Sequence, residues 1–502
     1  MEERTGFFHF SFFKRRFILK GVITLQLFSL QFVNGLNDAA SWLNGFLWDY
    51  ILIVVLLGCG LYFTVKSGFL QFTRLGDMGK LLFEKSTISS EGRRGISSFK
   101  AFTISTASRV GTGNLAGVAT AISLGGPGAV FWMWVIALVG AASAFVESTL
   151  AQVYKIKDKD GFRGGPAYYM EKGLNARWMG IIFAIIISIT FGLVFNSVQS
   201  NTISFALEGS FGWNRTIIGL ILVVLTGLVI FGGVNRVAAV TSTVVPVMAV
   251  LYILLALFVL VTNLNLVPEM FGVIFSNAFG FTEVVSGGIG AAIMNGIKRG
   301  LFSNEAGMGS APNAAATAAV THPAKQGLIQ TLGVFVDTLI ICTATALIII
   351  MSGEYLNGND GIQLTQDALA FHVGDWASIF VSVAIFLFAF SSIVGNYYYG
   401  QTNIEFIKNS PLFLNLYRIV VMGMVYFGSV QSFSVVWNLA DVSMATMALI
   451  NLIAISLLSP IAFKVLNDYQ KQRKQGIDPV FYKNSIPGLK NTECWDDGPV
   501  EK

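Results

Sequence analysis

The sequence predicts an all-α, polytopic membrane protein with one leading helix and two inverted sets of five, eleven spans in all. Three observations carry that expectation. Of 502 residues, 54% are hydrophobic and 12% charged, whereas soluble domains carry roughly 25% charged residues. Apolar segments of helical length recur from residue 47 to residue 463, each long enough to cross about 30 Å of hydrocarbon. Two of these segments, five spans apart, are interrupted by glycine and polar residues. Ten-residue segments of alternating hydrophobicity are missing, which disfavours a membrane β-barrel.

The spans are expected near 47–65, 100–123, 128–154, 179–207, 216–232, 237–262, 284–310, 327–351, 377–401, 412–429 and 433–463. The connecting segments 66–100, 155–178, 232–236, 311–326, 402–411 and 464–502 hold 23 Lys and Arg, and the alternate set holds Arg215 alone. Basic loops stay cytoplasmic, so a tail from 466 to 502 is expected inside and the start of span 47–65 outside. The outer loop 352–376 agrees, with Glu354, Asp360, Asp367 and Asp375 and no Lys or Arg. The net charge of +5 therefore reports topology, and no nucleic-acid partner is expected.

A transport domain is expected over 39–465, with repeats of about 100–262 and 284–463. Residues 1–38 form an extension in which Lys14-Arg15-Arg16 precedes FILKGVITLQLFSLQFV. That pattern fits a signal peptide, a signal anchor or a twelfth helix, and Lys20 in the apolar core weakens each version. Segment 71–84, QFTRLGDMGKLLFE, reads as a short amphipathic helix on the inner surface or as a solvated loop. Cys59, Cys342 and Cys494 are too far apart for a metal pair or a disulfide framework and read as small hydrophobes.

The interruptions carry the functional reading. The first is SRVGTGNLAG, residues 108–117, and the second lies in GIKRGLFSNEAGMGSAPNAAA, with Gly300, Ser303, Asn304, Glu305, Gly307 and Gly309 in place of apolar residues. Four unbroken spans follow each. Because five is odd, the first set starts inside and the second outside, so the halves are inverted. Such a repeat with two glycine-broken leading helices points to alternating access around a site at the breaks. Non-helical backbone survives in hydrocarbon only where protein, ion or ligand satisfies it. A break offers free N–H groups to a carboxylate and free C=O groups to a cation. Close packing of small residues is the alternative for one such run; two in matching positions argue against it. The fit of GTGNLA to G-x-G-x-x-A fails as a nucleotide site, since no strand precedes it.

SRVGTGNLAGVATAI, FRGGPAYYMEKGL, RGLFSNEAGMGSAPNAAATA and FAFSSIVGNYYYG resemble the alanine/glycine:cation symporter family, the sodium:alanine-type amino acid carriers. The likeness runs from about residue 40 to 465 and leaves residues 1–36 outside it. It implies a leucine-transporter-type five-plus-five fold with one further helix. It also implies inward transport of a small neutral amino acid with Na⁺, or sometimes H⁺, across the cell membrane, with no cofactor beyond the ion. The chain is expected to work as a monomer in the lipid bilayer.

Residue by residue, the resemblance places the substrate carboxylate at Gly111, Thr112 and Gly113, with Asn114 beside them. Gln199 enters the pocket from the third core helix and Phe302 walls it, while Ser392 and Asn396 face it from the eighth. Spacing supports the last pair independently, because positions four apart share a helix face. For Na⁺ the fold implies the carbonyls of Ala107 and Val110 and the hydroxyls of Ser391 and Ser392, a close approach that Ala389 and Gly395 allow. Relatives selective for alanine or glycine carry Trp in the pattern FSTxxGWYYYG where this chain has Asn396. Exchanging indole for carboxamide opens volume and adds donors and acceptors, so glutamine is the expected cargo, with asparagine or alanine secondary. Asn396 bonding to a neighbouring helix is the competing reading.

Charges inside spans are costly and mark cavities or pairs. Arg109 abuts the first break, Arg299 and Glu305 flank the second, and Glu147, Asp337 and Asp441 lie in or near other spans; some are expected to form cytoplasmic-side gate pairs. Lys298 and Arg418 are expected to snorkel. His9, His322 and His372 fall outside the spans, which leaves no imidazole at depth for an intramembrane hydrolase. Nothing resembles a carbonyl-lined channel filter. A non-transporting amino-acid sensor on the same fold is the remaining rival.

Overall fold

The structure is a computed structural model that describes residue 31 and residues 33–84, 96–158, 161–281 and 288–498. For residues 233–245 only the backbone is described. The reading of residues 1–36 thus falls, through residue 30, outside the described residues.

Helix α1 (Val33–Lys66) is followed by one turn at Leu70–Thr73 and by α2 (Leu75–Leu82). The first interrupted helix consists of α3 (Ser98–Arg109) and α4 (Val118–Gly125), and α5 (Ala129–Val153) follows. A hairpin of β1 (Ile156–Asp158) and β2 (Gly161–Arg163), pairing Ile156 with Arg163, leads to α6 (Pro166–Leu174). Then come α7 (Arg177–Phe211), α8 (Arg215–Ile230), α9 (Gly233–Thr262) and α10 (Val267–Ala278). The second interrupted helix consists of α11 (Gly288–Asn304) and α12 (Ala311–Ala315). The chain ends with α13 (Pro323–Ser352), α14 (Gly361–Val373), α15 (Trp376–Ile407), α16 (Pro411–Val430) and α17 (Phe433–Lys474).

Seven of these, α1, α5, α7, α13, α15, α16 and α17, are long and apolar enough to cross a membrane. The end of α9 together with α10, bent by 101°, makes an eighth if taken as one. The interrupted helices fall short of that length because each is broken. Local chemistry sets several starts. Ser97 Oγ accepts from Lys100 N–H at 3.3 Å before α3, and His322 Nδ1 accepts from Ala324 N–H at 3.2 Å with Pro323 in the first turn of α13, each satisfying a donor the helix leaves orphaned.

Two groups of helices pack around the breaks. One contains α5, α11 and α13 together with α4; the other contains α7, α8, α15 and α16. The first broken helix links them, α3 packing against α15 of the second group and α4 against α11 of the first. Outward faces remain apolar: Val224 and Leu228 on α8, Leu254 and Phe258 on α9, and Leu412 and Leu416 on α16 are exposed, the pattern of surfaces solvated by lipid tails.

Two differences from the hydropathy reading have physical causes. The last helix continues eleven residues past 463, to Lys474, because LNDYQKQRK is a polar helix former that the apolar pattern cannot see, and Gly476 at φ +76° ends it. The acidic loop 352–376 contains α14, capped by Asp360 and preceded by Gly353 at φ +72°. Residues 71–84 carry helical structure at Leu70–Thr73 and Leu75–Leu82.

Candidate functional site

The first break spans Val110 to Thr112. Val110 leaves the helix at φ −76°, ψ 100°, freeing the following N–H groups. Gly111 N–H donates to Asn114 Oδ1 at 2.9 Å, and Thr112 N–H and Oγ1–H both reach Gln199 Oε1, at 3.3 and 2.7 Å. Only glycine fits at 111, since a β-carbon there would lie 2.4 Å from Ser392 Oγ. The neighbouring Gly113 brings the two breaks together: its β-carbon would lie 3.0 Å from Ser303 Cα and 3.2 Å from Phe302 Cδ1. Gly111, Thr112, Gly113, Asn114, Gln199, Phe302, Ser392 and Asn396 are all buried, and the structure gathers them in one place.

Ser392 Oγ lies 2.8 Å from Ala107 O, 3.5 Å from Val110 O and 3.0 Å from Phe388 O. Three of the four residues assigned to the ion therefore converge. Ser391 does not join them: its hydroxyl donates within its own helix, to Phe388 O at 2.7 Å. Four residues along α15 from Ser392, Asn396 accepts from Ser108 Oγ at 2.8 Å through Oδ1, and its Nδ2 is buried without a partner among the described residues. Ser108 Oγ is also 2.7 Å from Glu305 Oε1, and one hydroxyl proton serves only one of these acceptors.

The second break runs from Glu305 to Ser310. Glu305 (φ +57°), Gly307 (+86°) and Gly309 (+87°) are left-handed, which no α-helix accommodates. Its free donors are already taken. Gly307 and Gly309 N–H donate to Glu147 Oε1 and Oε2, at 3.2 and 3.0 Å. Asn451 Nδ2 donates to Glu147 Oε2 at 2.8 Å and to Gly307 O at 2.9 Å, and Tyr169 OH bonds to Asn451 Oδ1. The protein supplies this break with its own carboxyl oxygens. The first break, by contrast, is filled by two neutral amide oxygens, which exchange more easily for a carboxylate.

Between the breaks, Asp337 accepts from Asn114 Nδ2 (2.7 Å), Ser303 Oγ (2.7 Å) and Thr338 Oγ1 (3.0 Å). Cys342, expected to be inert, lies with its Sγ 3.3 Å from Asn114 Nδ2 and 3.2 Å from Ser303 Oγ. An aromatic column closes the side away from the C-terminal tail. Phe302 meets Phe195 at 4.8 Å and Trp437 at 4.9 Å, and Trp437 meets Phe433 at 5.4 Å.

The expected gate residues are arranged differently from the sequence reading. Arg299 pairs with Asp441 at 2.7 Å and lies over the Trp437 ring at 4.4 Å. Both α11 and the start of α17 lie on the far side of the breaks from the tail, so this pair is not a tail-side gate. Lys298 does not snorkel; it is buried, 3.5 Å from Asp441 and 3.2 Å from Asn44 Oδ1. Glu305 bonds to the hydroxyls of Ser108 and Ser310, at 2.7 and 2.6 Å, with no cation in contact among the described residues. Arg109 is buried with Nε and Nη2 unpartnered; Nη1 reaches Gln330 O at 3.4 Å. Phe388 O and Asn451 escape a reading for site residues, and Glu147 is singled out there by its charge but not by its partners. A backbone oxygen leaves no mark in sequence, and an intramembrane Glu signals importance without naming its partner.

The profile of the sodium:alanine symporter family matches residues 33–483. The amino-acid carrier protein AlsT of Bacillus subtilis is 61% identical over 94% of this chain and 99% of its own length. The probable sodium/glutamine symporter GlnT of the same organism is 55% identical, covering 90% and 94%. The sodium/alanine symporter AgcS of Methanococcus maripaludis is 39% identical, covering 89% and 99%. Among solved structures, a mutant of the Eremococcus coleocola manganese transporter shares the fold at a TM-score of 0.50 and 14% identity, over 76% of this chain and 82% of that one. With its long apolar helices and these transporter relatives, this is a multi-pass membrane protein, and the chain belongs to the sodium:alanine symporter family.

Proposed function

We propose that this protein is a Na⁺-coupled symporter that imports a small neutral amino acid by alternating access, with glutamine favoured over alanine and glycine. One observation carries the reading: Thr112 N–H and hydroxyl both grip the amide oxygen of Gln199 inside a broken helix. Gln199 Oε1 stands where one carboxylate oxygen of a zwitterion would sit, and Asn114 Oδ1 on Gly111 N–H stands for the other. Because Glu147 already occupies the donors of the second break, the substrate carboxylate goes to the first.

Sodium completes the site. When Ser392 gives its proton to Phe388 O, its lone pairs face the carbonyls of Ala107 and Val110, an oxygen-only set suited to a hard cation. The names of the relatives lend weight: AlsT is an amino-acid carrier protein, GlnT a probable sodium/glutamine symporter and AgcS a sodium/alanine symporter. The eleven-span reading takes the seven long helices, α8, α9 with α10, and the two broken helices as one span each. Removing α1 leaves two sets of five, the tail-bearing end being cytoplasmic by its basic loops. One Na⁺ moving through 100 mV supplies about 2.3 kcal/mol, and a tenfold gradient adds about 1.4. Together they support accumulation of a few hundredfold.

The test is uptake into proteoliposomes across the neutral amino acids, driven by Na⁺, Li⁺ or a proton gradient. Sodium-driven glutamine uptake is expected, and Asn396→Trp is expected to lower the glutamine-to-alanine preference about tenfold, as loss of polar recognition does. An unchanged preference would refute the assignment of Asn396, and binding without sodium-dependent counterflow would identify a sensor.

A further inference from the structure

The proposed site leaves unused a polar and aromatic cluster at the tail end of the bundle. Beyond Gly476 the chain turns back and crosses beneath the helices. Phe481 N–H donates to Thr321 O at 2.9 Å, and Thr321 Oγ1 donates to Pro479 O at 2.8 Å, fastening the tail to the loop after α12. Phe481 is buried between the rings of His322 (5.4 Å) and Trp495 (5.2 Å). Trp495 Nε1 donates to Gln152 O, in the last turn of α5, at 3.0 Å. Beneath it lies Lys155, 2% exposed, with Nζ 4.9 Å from the Trp495 ring and 4.2 Å from Phe162. Its other partners are the neutral oxygens Gln152 Oε1 (2.8 Å) and Ala318 O (3.1 Å).

Further anchors reach other elements. Lys325, in the first turn of α13, bonds to Asp478 at 2.8 Å and to Glu84 beyond α2 at 2.6 Å. Glu493 pairs with Lys172 of α6 at 2.9 Å, and Asn491 Nδ2 donates to Lys172 O at 2.9 Å. The tail thus joins α5 and α13, from one packed group, to α6, which leads into α7 of the other.

Between the tail and the first break lies a run of buried polar atoms without partners among the described residues: Gln330 Oε1 and Nε2, Arg109 Nε and Nη2, and the hydroxyls of Ser148 and Thr149. Buried polar atoms are nearly always satisfied, and water would reach this run of them only if the helices that carry them parted.

We propose that the C-terminal tail is a strap that holds the cytoplasmic mouth of the transport path shut, with Trp495 over Lys155 as its fastening, and that it lifts for substrate to leave. This rests on the alternating-access reading. The family match ends at residue 483, so Trp495 lies outside the segment the family profile covers and Lys155 lies inside it.

The experiment places a reporter cysteine, Gln330→Cys, in a background with Cys59→Ala, Cys342→Ala and Cys494→Ser. A membrane-impermeant maleimide is then applied from the tail side of inside-out vesicles. Three forms are compared with the intact strap: Trp495→Ala, a chain ending at residue 490, and Glu493→Gln, which leaves the buried side chains in place. Labelling is expected to rise roughly tenfold in the first two, the shift that loss of one well-packed contact imposes on a two-state opening, and less, in the same direction, for Glu493→Gln. Rates within twofold of the intact protein in all three, at unchanged unfolding temperature, overturn the strap. Absence of sodium-driven uptake by the unaltered chain overturns the symporter reading instead, while the labelling comparison still decides the strap.

Discussion

Ser392→Ala isolates the ion site with little cost to the fold. It deletes an oxygen that lies 2.8 Å from Ala107 O and 3.5 Å from Val110 O and leaves those carbonyls without their third companion. Alanine suits a helix interior slightly better than serine, so α15 is expected to form normally. An oxygen contact to a charged group in a dry site is worth about 1.5–3 kcal/mol, or roughly a 10- to 150-fold loss of affinity at 1.4 kcal/mol per decade. The assay is Na⁺-titrated glutamine uptake in proteoliposomes with glutamine saturating. The half-saturating Na⁺ concentration is expected to rise by at least about tenfold, while maximal uptake at saturating Na⁺ falls less. Ser391→Ala is the matched control, because its hydroxyl bonds only to Phe388 O of its own helix; a shift below about threefold is expected. A Ser392→Ala protein within twofold of the parent would refute the placement of Na⁺ at Ala107, Val110 and Ser392.

Three further outcomes follow from the geometry. Glu147→Ala strips the acceptors from Gly307 and Gly309 N–H; at about 1–3 kcal/mol per buried orphan, the loss is a large fraction of a domain's stability. A steep drop in unfolding temperature is expected, with a much smaller one for Glu147→Gln, which keeps an acceptor. Gly113→Ala drives a methyl to 3.0 Å from the Ser303 backbone; overpacking of about 1–3 kcal/mol is expected to lower glutamine uptake tenfold or more, with the protein still folded by size-exclusion chromatography. Tail docking is expected to depend on pH. Burial pushes the Lys155 ammonium down to about 7 and also lowers His322. Both groups bind protons more readily with the tail away, so docking strengthens as pH rises, through His322 below its ordinary 6.5 and through Lys155 from about 7 towards its ordinary 10.5. The groups facing Lys155 are the Cys494 thiol, itself pushed up to about 11 by burial, with Glu493, Lys157 and Lys172 near that thiol; those facing His322 are Asp468, Lys325 and Asp478. Labelling of the Gln330→Cys reporter at about pH 6 and about pH 8 checks this: slower labelling at the higher value is expected, and a flat profile would contradict it.

Much of the site is legible in sequence because hydrocarbon punishes irregular backbone. Glycine, threonine and asparagine at 111–114, and glycines at 307 and 309, cannot sit in an apolar span without a reason, and the structure breaks both helices there. Pairings that depend on backbone atoms stay invisible. Nothing in the residue Phe388 announces that its carbonyl faces Ser392, and nothing around Glu147 says that its carboxylate caps the second break. Arg299 shows a different limit. The cost of burying its charge singles it out, but that cost says nothing of depth, and only its partner Asp441 fixes the end on which the pair sits. The end of α17 escapes a hydropathy reading because its helix is polar, and the tail escapes it because its order comes from contacts with the bundle.

The most direct measurement is an experimental structure with glutamine and Na⁺ bound. The α-carboxylate is expected on the N–H groups of Gly111 and Thr112, with the Gln199 amide oxygen turned away and the ion among Ala107 O, Val110 O and Ser392 Oγ. A carboxylate seated instead on Gly307 and Gly309, with Glu147 displaced, would contradict the account.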